Sequence, residues 1–193
     1  MDRRQFFKLR LYITGIITIA IWIILAWDYN HGGVPGHHIL ADETLPKISN
    51  WWGGLLLPLL TLFLLYRIQI RSTTTNGGNT ETPTYSKNIL YRFAVALLFG
   101  IILSVFFSFG NTDVPGYMIL AVLPLSFFVP IYLSECLLGF VVGMTFTFGG
   151  VLPTGIGSIL LLMFALIHLL IRPAILYGAS KVGRVLSSNN NTP

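Results

Sequence analysis

The residues best suited to chemistry crowd into Asp28 to Trp52 (DYNHGGVPGHHILADETLPKISNWW), which holds three of the four histidines and three of the seven acids of the chain. A short helix over Gly36 to Leu45, stopped by Pro46, sets His38 and Asp42 one turn apart on a single face. His31 approaches from the loop before it. Two imidazoles and a carboxylate suit zinc or another divalent metal, with one position left for water. His37 points away from that set, because neighbours on a helix diverge by about 100°. The same histidines also suit proton transfer, since imidazole titrates near neutral pH. A plainer use is a solvated outer loop, with Trp51 and Trp52 at the membrane interface and Asn50 as N-cap of the helix that follows. No HExxH or comparable metal spacing is present.

Further candidates lie in apolar surroundings, where an ionisable group is costly and implies a use. His168 precedes Arg172 by one turn, and Glu135 stands alone in the apolar stretch Tyr117 to Gly150. Arg172 is a candidate partner for Glu135, in a pair as readily structural as functional, and His168 is either a proton relay or bonded to a neighbouring helix. Gly139 and Gly143 form a GxxxG face for close helix packing, within the chain or between copies. The Gly149–Gly155 loop lacks a lysine and any phosphate-binding pattern. Ser134-Glu135-Cys136 lacks the glycines of a nucleophile elbow. Cys136 is the only cysteine, which excludes an intramolecular disulfide and a cysteine-built zinc site.

The elements that must position these residues are membrane helices. The 193 residues are 54% hydrophobic and 10% charged, with mean hydropathy +0.74, against about 25% charged in a soluble domain. Crossing a hydrocarbon core takes about 20 residues. Spans are expected at Leu11–Trp27, Trp51–Tyr66, Leu90–Phe109 and Ile156–Ile175. The first has basic residues before it, as a signal peptide does, but no small-residue cleavage site, and reads as a retained anchor. Tyr117 to Gly150 is too long for one span and divides at Ser134-Glu135 into two, or into a re-entrant pair. The fold class is therefore all-α, a polytopic bundle of six transmembrane helices arranged as two plus four. Lys47 is the one basic residue of twelve that falls outside when both termini are cytoplasmic. The charge of +5 is thus a topology signal, and nucleic acid is not a partner. The partner is the lipid bilayer, that of the cell membrane, and the small interior of the chain favours a homo-oligomer.

The chain divides into a hairpin over 1–71, a polar linker over 72–86 (STTTNGGNTETPTYS), a four-helix unit over 87–186 and a polar tail over 187–193. Val34-Pro35-Gly36-His37-His38-Ile39-Leu40-Ala41 is echoed by Val114-Pro115-Gly116-Tyr117-Met118-Ile119-Leu120-Ala121. The echo is either a duplication of the transporter kind or a shared Pro-Gly turn. Three functions follow. The first is a transporter or channel-like protein for an ion or small solute, with a polar site on the outer side. The others are a membrane-embedded hydrolase or transferase using His31, His38 and Asp42, and a non-catalytic assembly partner.

Overall fold

The computed structural model describes residues 3–38, 47–75, 87–111 and 113–189. Helix α1, Arg3–Asn30, is broken only where the backbone turns left-handed at Gly32 (φ 117°) and Gly33 (φ 96°). The amides of His31 and Gly33 fold back onto the Asp28 carbonyl at 3.1 and 3.0 Å. Strand β1, Gly36–His38, then pairs antiparallel with β2, Lys47–Ser49, with His37 opposite Ile48. The helix expected to begin at Gly36 is therefore absent over Gly36–His38, because the ladder with β2 takes up those backbone groups. Its remainder, 39–46, lies outside the described residues.

A 3-10 turn, Asn50–Trp52, leads into α2, Gly53–Thr75, which carries Pro58 internally. The cap is Ser49, whose side chain accepts from the Trp51 amide, and not Asn50 as expected. Helix α2 also takes in Ser72–Thr75, expected in the linker; the Ser72 hydroxyl bonds the Ile68 carbonyl at 2.8 Å. The rest of the linker, 76–86, lies outside the described residues. Helices α1 and α2 pack antiparallel through Ile21, Leu25, Leu57, Leu64 and Ile68, and Gly54 lets Leu25 and Trp22 approach its backbone.

The second half comprises α3, Lys87–Ser108; α4, Asp113–Phe128; α5, Ser134–Phe148; and α6, Val151–Leu166. A π-helical turn, Ile167–Ile171, joins α6 to α7, Arg172–Asn189, which absorbs the first residues of the expected tail. The π turn has a local cause. Pro173 cannot donate to the fourth residue before it and would clash there in a regular helix, so the preceding turn widens. The two Val-Pro-Gly segments part company: Gly36–His38 is strand, whereas Val114–Ala121 lies in α4 with Pro115 in its first turn, where no N–H is needed.

Helix α5 is the centre of this half, with eleven residues buried from Glu135 to Phe148. Against it, α3 comes within backbone contact. A Cβ built on Gly143 would meet the Leu97 carbonyl, with the Gly100 Cα at 3.2 Å, and one on Gly139 would meet the Phe93 carbonyl. Helix α4 is different. It is apolar all round, has no stripe to bury, and its one buried residue is Ser126.

Among the described residues, four helices are long and apolar enough to cross a membrane: 4–30, 50–72, 87–108 and 151–181. Ile16, Ile19, Ile23, Leu98, Phe146 and Leu162 stand exposed on the outside of the bundle, which fits a lipid surround and not water. The expected fourth and fifth spans form the shorter apolar helices α4 and α5, about 24 and 22 Å long at 1.5 Å per residue. Even so, the two ends of α5 make contacts toward the two ends of the second span. Glu135 in its first turn meets Arg71 near the C-terminal end of α2, and Gly149 just after it packs on Asn50 at the other end.

Candidate functional site

Of the outer histidine cluster, the described residues show the His31 side chain and the backbone of His37 and His38. The ring of His31 stacks on Trp27, centroids 4.0 Å apart and 15° from parallel. Its Nδ1 lies 2.9 Å from the Trp27 carbonyl one turn back, so Nδ1–H donates and closes the end of α1. Asp42 lies outside the described residues, and His38 is on a strand, so the one-turn spacing behind the metal and hydrolase readings loses its helical basis. Among the described residues no three His, Cys, Asp or Glu side chains gather as a metal group. Asn50 is buried against Gly149, whose φ of 71° leaves the α5–α6 turn open to receive it.

The opposite end of the bundle is where charge converges. Glu135 is 1% exposed, and Arg71 Nη2 donates to both of its oxygens at 2.7 Å. Arg92 Nη1 stands 3.5 Å from Glu135 Oε1. Three helices supply the three groups: α2 its last turns, α3 its first, and α5 its N-terminus, whose dipole also favours the carboxylate. Two guanidiniums on one carboxylate leave an excess of one positive charge, and Arg92 is the more loosely held. Nearby, Arg10 of α1 lies over the Tyr66 ring of α2 at 5.5 Å.

The candidate Glu135–Arg172 pair is not formed. Arg172 Nη1 instead lies 3.2 Å from His168 Nε2, on the π turn. A guanidinium only donates, so Nε2 accepts and Nδ1 carries the hydrogen. Nδ1–H then donates to the Ser126 carbonyl of α4 at 3.0 Å. That carbonyl needs a partner because the residue four further on is Pro130, which has no N–H. Tyr132 flanks the imidazole, ring centroids 5.4 Å apart. His168 thus ties the loosely packed end of α4 to the α6–α7 rod. His168→Phe is expected to lower stability by about 1–2 kcal/mol, the cost of an unmet carbonyl, read as an earlier thermal melt in detergent. A melt unchanged from the parent would show that water serves the carbonyl equally well.

Between these two clusters lies a cavity of about 230 Å³. Its walls come from α3, α4, α5 and α6, including Val95, Phe99, Val122, Phe140, Gly157 and Phe164, and among the described residues Arg92 is the one charged side chain lining it. Cys136 also faces it. The cavity exists because α4 does not close onto α5. Gly157 widens it, since a Cβ there would press on Leu137 and Phe140.

No known protein family, characterised protein or solved structure matches this chain. Geometry alone therefore bears on function.

In the sequence, Arg71 and Arg92 are two of the eleven basic residues that mark the cytoplasmic side. A signal was present: Glu135 is the only acid beyond Asp113, so it had to recruit a cation. The cavity had a weaker one, an apolar α4 sequence holding Pro124 with Pro130 just past its end.

Proposed function

We propose that the protein is a small multi-pass membrane carrier whose solute site is the cavity between α3, α4, α5 and α6. The observation that carries this reading is the cavity itself, lined by apolar side chains apart from Tyr91, Arg92 and Cys136. It has about half again the volume of an engineered cavity of about 150 Å³ that takes up benzene. Proline and an irregular turn border it, as they do many transport paths: Pro124 lies within α4, Pro130 follows it, and the π turn lies beyond Phe164. The hairpin of α1 and α2 braces the site through Arg71 and through the contact of Gly53 with the Gly150 backbone.

Six passes with both termini cytoplasmic fit this arrangement. The contacts of α5 toward both ends of the second span support its crossing, and the end that gathers Arg10, Arg71, Arg92 and Arg172 is the positive, cytoplasmic end. An ion is a poor cargo for such a wall, because nothing there replaces its hydration. A small apolar or amphiphilic solute is a good one.

The test is organic extraction of the purified protein, followed by mass spectrometry, for the parent and for Val122→Trp, which fills the cavity from α4. A small apolar solute that co-purifies with the parent and falls several-fold in a Val122→Trp protein of unchanged melting temperature is the expected result. Equal recovery from both proteins would overturn the reading.

A further inference from the structure

We propose that the cavity takes a single-chain amphiphile with an anionic head, a fatty-acid-like carboxylate, whose head pairs with Arg92 and whose chain lies along Val95, Phe99 and Phe140. This rests on the cavity being the solute site. The head-group assignment follows from the ion cluster. Arg71 holds both oxygens of Glu135 at 2.7 Å, so that carboxylate is already satisfied. Arg92, at 3.5 Å, is beyond a well-formed hydrogen bond to it. Its side chain is 34% exposed. It therefore retains donors and the excess positive charge, and it lines the cavity. A carboxylate is the group that a guanidinium fork matches with two parallel bonds. An ammonium head would meet a like charge in a medium where repulsion is strong.

The chain assignment follows from the wall. Arg92, Val95, Ala96 and Phe99 follow one another at helical spacing on α3, so the lining from this helix is apolar over the about 10 Å of axis that follows Arg92. Polarity therefore runs from a charged end to an apolar interior, as it does along a fatty acid. At about 230 Å³ the space is of a size for one such chain. The charged head then sits level with the other arginines at that end, where an anionic head group of a bilayer also sits.

The experiment uses the full chain in nanodiscs of zwitterionic lipid and a photoreactive diazirine derivative of dodecanoic acid, with cross-linked peptides mapped by mass spectrometry. Cross-links are expected on peptides that line the cavity from α3 and α5. Unlabelled dodecanoate should compete for them at a roughly tenfold lower concentration than dodecanol, the gain of one charge-assisted pair. Arg92→Gln should remove that difference while leaving the cross-links in place, and Arg92→Lys should keep most of it. Equal competition by acid and alcohol in the parent would overturn the head-group assignment but leave the cavity as the solute site. Cross-links confined to the outer, lipid-facing surface would overturn both.

Discussion

Gly143→Leu is expected to stop the second half of the protein from folding. Helices α3 and α5 touch backbone to backbone at this level. A Cβ at position 143 would meet the Leu97 carbonyl, the Ile101 nitrogen at 3.1 Å and the Gly100 Cα at 3.2 Å. None of these atoms is the free end of a side chain, so none can swing aside. The helices must separate, and the contacts made by Leu103, Phe140 and Met144 go with them. Overpacking a tight interior costs about 1–3 kcal/mol, and more where backbone is displaced; about 4 kcal/mol is a fair expectation here. In lipid there is little apolar driving force to draw parted helices back together. Gly155→Leu is the matched control, since nothing lies within 4 Å of a Cβ at that position. Size-exclusion profiles and melting in detergent should show Gly155→Leu close to the parent and Gly143→Leu aggregated or absent. A Gly143→Leu protein that elutes and melts like the parent would mean that α3 and α5 are not in this contact.

Glu135→Ala carries the second large effect. Removing one partner from a buried ion pair costs about 3–5 kcal/mol, because the other charge is left uncompensated. Both arginines here are 34% exposed, so solvent and lipid head groups recover part of that, and about 2–3 kcal/mol remains. The loss has a structural direction. Glu135 is the point at which α2, α3 and α5 are held together at the charged end, so the hairpin should loosen from the four-helix unit. Arg71→Ala should cost less, since Arg92 can close its 3.5 Å gap to the carboxylate. The double variant should be more stable than the sum of the singles implies, and a double-mutant cycle reads the coupling directly. Additive losses would show that the pair does not hold the halves together.

What could be read from the sequence follows from which forces are local. The four long helices are continuous apolar runs, and a bilayer asks little more of a sequence than length and hydrophobicity. The division of Tyr117 to Gly150 at Ser134-Glu135 was legible because polar residues there stop an apolar run, and α5 does begin at Ser134. The small-residue spacing of Gly139 and Gly143 was legible for the same local reason. Partners were not. Glu135 had cations on offer from α2, α3 and α7, and only the packing of α5 between α2 and α3 decides against Arg172. In the outer segment the spacing of His38 and Asp42 suggests a helix, while the strand at Gly36–His38 depends on pairing with Lys47–Ser49, nine to thirteen positions away. Likewise His168 found its partner through Pro130, whose missing N–H leaves a carbonyl on a different helix in need of a donor.

The central claim is that the interior of the four-helix half is open to small apolar molecules, and the single cysteine makes that directly measurable. Cys136 is 8% exposed and lines the cavity. Ethylmercury, a small apolar thiol reagent, should therefore reach it from the membrane, and mass spectrometry of the intact protein counts the adduct. The expected result is one mercury per chain in the parent and a several-fold slower reaction in Val122→Trp, with dodecanoate slowing the parent in the same way. An identical rate in the parent and in a folded Val122→Trp protein would contradict the account, because the thiol would then be reached by some route other than the cavity.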